Sequence, residues 1–367
     1  MKKFKFKRSI MIISAVALIF TSLVTFAGCG NNDKADVHVF YYTYSDTYIS
    51  TVRSALDARL DAAGVSYQDH DGNNSQTTQT EQIQTAITKG AKLIVVNIVT
   101  TGSDDAAGGI VSLAKEAGIP VIFFNREVSD SVVNSYDKCV FIGTDAAEAG
   151  YLQGDMIGDY VTANYNSIDL NGDGVISYVL FMGEKGNNEA IYRTEYSVEN
   201  ANKKLAAAGK KPLKFYDSAN KDGYLLDREG KWSAQAANDY MTTILASYNL
   251  ANKNMVELII CNNDGMAEGA ISALSSAGYN TGSSEDTTIP VFGVDATSAA
   301  RELIADGKMA GTIMQDHEGM AKAIGEAVEN GLSGDPLFDG MDEYTVDGDS
   351  AKLRISYAVY LGEGEEE

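Results

Sequence analysis

From Val37 onward, short runs of consecutive apolar residues alternate with longer stretches whose apolar positions recur every three or four residues. The first pattern suits strands buried on both faces, the second helices with one face against a sheet. In order, it predicts strand 37–43, helix 48–63 ended by Gly64, strand 65–69, helix 76–89 stopped by Gly90, and strand 93–99. Helix 104–117 follows with Gly118 at its end, and Pro120 opens strand 121–124. A further strand-like run begins at Lys138-Cys139, and Gly143-Thr144-Asp145 leads into helix 146–163. A second series then runs through strand 176–182, helix 189–208, strand 213–216, helix 234–248, strand 258–261, helix 266–277 and strand 290–294. Strands alternating with helices of this length imply βαβ units and parallel sheets.

The two series resemble each other internally. Residues 117–125 (Ala-Gly-Ile-Pro-Val-Ile-Phe-Phe-Asn) match 288–295 (Thr-Ile-Pro-Val-Phe-Gly-Val-Asp), and 93–97 match 258–262. Two similar α/β lobes are the natural reading. Buried strands release polar side chains at their carboxyl ends, namely Asn125, Asn263 and Asp295. Ligands of open α/β sheets bind just outside those ends. The strand Glu257-Leu-Ile-Ile-Cys-Asn-Asn-Asp264 also carries a carboxylate at its other end, about 20 Å away at ~3.3 Å per residue. Capping of the next helix is the plainer role for Asn263 and Asp264 taken alone.

Charge and cysteine usage narrow the class. The formal net charge of −22 argues against a nucleic-acid partner and against electrostatic docking on anionic lipid. The basic start (Lys2, Lys3, Lys5, Lys7, Arg8), the apolar run 10–26 and Ala27-Gly28-Cys29 read as an export signal over 1–28. The small-small-Cys ending resembles a bacterial lipobox, with Cys29 lipidated as the mature N-terminus, although Phe26 stands where Leu is usual. An uncleaved membrane anchor is the alternative. Either way, the body is held outside the cytoplasm on the linker 30–36. Cys139 and Cys261 fall in strand-like runs, where cysteine behaves as a small hydrophobe, so no disulfide is expected.

Asp169-Leu-Asn171-Gly-Asp173-Gly174 supplies oxygens at positions one, three and five of an EF-hand-type loop, with the turn glycine after them. Val175 offers its carbonyl at position seven and Ser177 its hydroxyl at position nine. Position twelve is Leu180 rather than a bidentate Glu, so a calcium site would need a ligand from elsewhere. A polar turn held by its own Asx bonds is the alternative.

Several segments together resemble the galactose/glucose-binding family of bacterial sugar-transport systems, which are type I periplasmic binding proteins with a ribose-binding-like fold. They are Tyr42-Thr-Tyr-Ser-Asp-Thr-Tyr48, Val121-Ile-Phe-Phe-Asn-Arg-Glu127, 169–174, Ile260-Cys-Asn-Asn-Asp264 and 289–295, and the likeness runs in order from about Val37 to about Leu361. The resemblance implies two Rossmann-like lobes, parallel sheets flanked by helices, joined by a three-strand hinge. It places 37–143 with 317–355 in one lobe and 144–316 with 356–367 in the other. Crossovers are expected near 143–145, 315–318 and 356–357. It implies polar sugar contacts at Asp46, Asn125, Arg193, Asn263 and Asp295, and rings at Tyr48 and Trp232, the sole tryptophan. Asn187, Glu189 and Gln315 stand where the family usually has histidine, aspartate and asparagine. All three keep hydrogen-bonding capacity with altered reach or donor count. For calcium it implies Glu257 as the distant ligand completing Asp169, Asn171, Asp173, Val175 and Ser177. The expected partners are a monosaccharide, galactose or glucose, and an ABC permease in the membrane, with the body a monomer. A chemoreceptor or histidine kinase is the alternative destination of the signal.

Other classes fare worse. Asp46, Glu189 and Asp295 could serve a glycosidase, but His38, His70 and His317 fit no nucleophile or zinc pattern. A sugar-responsive repressor would need a DNA-binding head where the export signal stands.

Overall fold

The computed structural model describes residues 35–362. The export signal, Cys29 and the linker as far as residue 34 lie outside the described residues. In chain order the strands are β1 (Val37–Tyr41), β2 (Tyr67–Asp71), β3 (Leu93–Val96), β4 (Val121–Phe124) and β5 (Cys139–Gly143). They continue as β6 (Ser177–Met182), β7 (Lys214–Phe215), β8 (Leu225–Leu226), β9 (Leu258–Cys261), β10 (Val291–Asp295) and β11 (Gly311–Gln315). The last three are β12 (Thr345–Val346), β13 (Lys352–Arg354) and β14 (Tyr357–Tyr360).

Two sheets result. One has the order β12-β13-β5-β4-β3-β1-β2, parallel except for β12; the other runs β14-β11-β10-β9-β6-β7, with β8 also on β6, parallel except for β14. Successive side chains of a strand face opposite sides. Val37, Val39 and Tyr41 pack with Val52, Leu56 and Ile324 from helices Thr47–Ala62 and His317–Ser333. Phe40, Ile94 and Phe123 pack on the other side with Ile83 and Ile110 from helices Gln76–Lys89 and Asp104–Ala117. Because both faces are covered by helices, the strands read as continuous apolar runs.

The chain passes between the sheets three times. It leaves the first after Gly143, returns after Gln315 through helix His317–Ser333, and crosses again between Arg354 and Tyr357. These crossings lie together: Ile355 N–H donates to the Gly143 carbonyl at 2.8 Å, and the Thr144 hydroxyl donates to Tyr357 Oη at 2.8 Å. In the second lobe, helices Ala146–Ile168 and Asn188–Ala207 touch backbone to backbone. A Cβ on Gly154 would meet the Tyr196 carbonyl oxygen at 2.6 Å.

Some boundaries differ from the sequence reading. The edge strand β2 starts at Tyr67 rather than 65, because its alternate half-exposed residues carry no apolar run. Helix Ala146–Ile168 continues past 163 because Tyr165 and Ile168 remain on its buried face. Both remaining cysteines, Cys139 and Cys261, are buried free thiols.

Candidate functional site

Between the two sheets' carboxyl ends lies a narrow cleft walled by residues of both lobes. All ten residues singled out for substrate contact line it: Asp46, Tyr48, Asn125, Asn187, Glu189, Arg193, Trp232, Asn263, Asp295 and Gln315. Tyr42, Ile49 and Arg126 also line it. The first lobe gives the loop after β1 and the end of β4. The second gives the loop after β6, the Trp232 loop and the ends of β9, β10 and β11.

Three of these side chains begin helices. Asp46 accepts from Ile49 N–H at 2.8 Å, Asn187 from Ala190 N–H at 3.0 Å, and Asn263 from Met266 N–H at 2.9 Å. Capping thus holds each group at a helix N-terminus that faces the cleft. Capping and ligand binding are therefore compatible here, since each cap engages one oxygen. Asp46 also accepts from the Tyr42 hydroxyl at 2.7 Å. Asn97 steadies Asn125, donating to its amide oxygen at 3.1 Å.

Backbone geometry at the cleft is unusual. Asn125 (φ 61°), Trp232 (φ 56°) and Asp295 (φ 126°) all have positive φ. Asn tolerates that region, whereas a bulky side chain there costs roughly 1–3 kcal/mol and persists only where surroundings enforce it. Trp232 is pressed against Gly183, where any Cβ would overlap its ring.

Arg193 is the electrostatic centre. Its guanidinium donates to the Asn262 carbonyl and Tyr357 Oη, both at 2.8 Å, and lies 3.9 Å from the Asp295 carboxylate. Burial opposes its charge, but Tyr357, Asp295 and Glu189 outweigh that and raise its pKa. Burial pushes the Asp295 carboxyl well up despite Arg193, and pushes Glu189 up against the pull of its own backbone N–H and Arg193. Four buried polar atoms of the lining have no protein partner: Arg126 Nε, Glu189 Oε2, Arg193 Nε and Gln315 Nε2. Buried groups are rarely left so, and each costs about 1–3 kcal/mol while unpaired.

The acidic loop lies at the other end of β9. Glu257, fully buried, accepts from Asn171 N–H at 2.9 Å and from Ser177 N–H and hydroxyl, both at 2.8 Å. Asp169 accepts from Gly174 N–H at 2.9 Å, and Asp173 from Val175 N–H at 2.9 Å. Among the described residues no three His, Cys, Asp or Glu side chains converge as a ready-made metal cluster. The oxygens nevertheless fit a cation in kind. Asn171 Oδ1 is buried without a partner, and burial raises the Glu257 pKa despite the bonds from Ser177 and Asn171.

A profile of the periplasmic binding protein domain matches residues 37–336. The chain belongs to the periplasmic binding protein family. The D-galactose/methyl-galactoside binding periplasmic protein MglB of Haemophilus influenzae is 33% identical over 305 residues, covering 83% of each chain. A putative rhizopine-binding protein of Rhizobium meliloti is 28% identical, covering 88% of this chain and 93% of its own. A solute-binding protein from Clostridium phytofermentans with bound β-D-glucose superposes with a TM-score of 0.66 at 22% identity, covering 88% of this chain and 93% of its own. Like other periplasmic binding proteins of type I, the chain has two α/β lobes, and its relatives are solute-binding proteins that act outside the cytoplasm. Among the described residues no helix is long and apolar enough to cross a membrane.

Of the three lining residues that sequence reasoning missed, two had signals of their own. Tyr42 opens a quoted motif, and Arg126 directly follows Asn125 at a strand's polar end. Only Ile49, apolar and on a helix, had no signal that distinguished it from core.

Proposed function

We propose that this periplasmic binding protein is the substrate-binding component of an ABC sugar importer, closing its two lobes on one monosaccharide, D-galactose or D-glucose. The observation that carries this is the set of unpartnered atoms in the cleft, three donors and one acceptor. A pyranose has hydroxyls that both donate and accept, so it can satisfy all four. Tyr48 and Trp232 supply rings for its C–H faces. The Haemophilus relative supports galactose, while the Rhizobium relative is named for a different solute, a rhizopine. The changes at Asn187, Glu189 and Gln315 bear on that choice.

On this reading the loop 169–177 with Glu257 holds a structural calcium ion, and Cys29 carries the lipid that tethers the protein to the membrane beside its permease. Ligand bound only by the folded state raises stability by RT ln(1 + [L]/Kd), about 2.7 kcal/mol at a hundredfold excess over Kd. A thermal-shift screen of refolded protein tests the reading: galactose or glucose should raise Tm by several degrees at millimolar concentration. A shift with pentoses alone would overturn the hexose assignment, and no shift with any sugar would overturn sugar binding.

A further inference from the structure

Among the described residues, one ion pair bridges the two lobes at the cleft. Arg126 lies two residues beyond β4 in the first lobe, and Glu184 two residues beyond β6 in the second. Arg126 Nη2 and Glu184 Oε2 lie 2.5 Å apart, and Arg126 is only 5% exposed. The guanidinium also sits 4.2 Å over the Tyr42 ring and donates to the Val99 carbonyl at 2.9 Å. The same Glu184 oxygen accepts the Trp232 indole N–H at 3.3 Å. One carboxylate oxygen therefore joins the first lobe's cation to the second lobe's ring.

The other polar contacts between the lobes at the cleft are longer and involve at most one charged group. Glu127 N–H reaches Glu189 Oε1 at 3.2 Å, and Asn187 Nδ2 reaches the Thr101 hydroxyl at 3.4 Å. Separating the lobes must break the Arg126–Glu184 pair, and a buried charge stripped of its partner is costly until water reaches it. The cost therefore falls on the early part of opening. The Arg126–Tyr42 stack and the Val99 bond lie within the first lobe, so they keep Arg126 oriented while the lobes are apart. Opening also releases Glu184 from its cation but leaves its bond to Trp232 inside the second lobe.

We propose that Arg126 and Glu184 form a latch made on closure, which sets how slowly the solute leaves. Glu184 is in addition a positioning residue that holds the Trp232 ring at the angle the solute meets. The proposal rests on the solute-binding reading of the cleft. A static strut between permanently closed lobes would use the same contacts but give different kinetics. A latch acts after encounter and so changes dissociation; a strut stabilises the unliganded protein.

Stopped-flow fluorescence of Trp232, the sole tryptophan, on refolded protein with galactose or glucose separates these. Glu184→Gln, which removes the charge but keeps an acceptor for the Trp232 indole, should raise the dissociation rate on the order of tenfold and leave the association rate nearly unchanged. Arg126 also lines the cleft, so replacing it would remove a solute contact together with the latch. The unliganded melting temperature of Glu184→Gln should match the wild type. An unchanged dissociation rate in Glu184→Gln, or lowered unliganded stability with slowed association, would overturn the latch. A wild-type protein that binds none of the sugars by calorimetry would overturn the reading of the cleft, and the latch with it.

Discussion

Arg193, Asp295 and Trp232 show how single side chains acquire function from their surroundings. Arg193 would be an ordinary solvated charge on a helix, yet at 4% exposure it must be paired, and Tyr357 and Asp295 pair it. Trp232 would be an ordinary core residue, yet its positive φ and its contact with Gly183 hold it as a wall of the cleft. Gly183 follows from this. Adding one methyl there forces the ring aside, and such overpacking costs about 1–3 kcal/mol. Gly183→Ala should weaken monosaccharide binding about tenfold, 1.4 kcal/mol being a factor of ten, as read by titration. Unchanged affinity would show that the ring does not touch the solute.

Elements were legible where burial is two-sided and repeated. The run Leu258–Cys261 and the helix Gln76–Lys89 match the sequence reading residue for residue, because polar residues bound the apolar run and Gly90 ends the helix. The reading assigned no helix or strand after β10, only the crossovers near 315–318 and 356–357 and the lobes on either side of them. Helix His317–Ser333 has a buried stripe rich in alanine and glycine, and β12 and β8 have two residues each, too few for any period. The cleft was legible by residue type through resemblance, but the Arg126–Glu184 pair was not, because its members lie 58 residues apart in the chain. The calcium ion proposed for the loop 169–177 is tested by chelation. Glu257 and Asn171 link the loop to β9 and β6, so chelation should lower Tm while sugar binding at room temperature persists. Glu257→Gln should melt low and lose its response to chelator. Identical melting curves with and without chelator would contradict the calcium site.

In the whole molecule, three crossings meet beside the cleft, and Arg193 touches the hinge directly through Tyr357, which Thr144 also contacts. A solute that engages Arg193 Nε is thus one residue away from two of the three connecting segments. That arrangement suits hinge closure, in which a few residues absorb the rotation of two otherwise rigid lobes. The measurement to make first is calorimetric titration of the mature domain, unfolded and refolded to strip any bound sugar, with galactose, glucose, xylose and ribose. The four unpartnered atoms and two rings predict one site per molecule, tight for galactose or glucose and weak for the pentoses. Tight binding of a pentose alone, or no heat with any of the four, would contradict it.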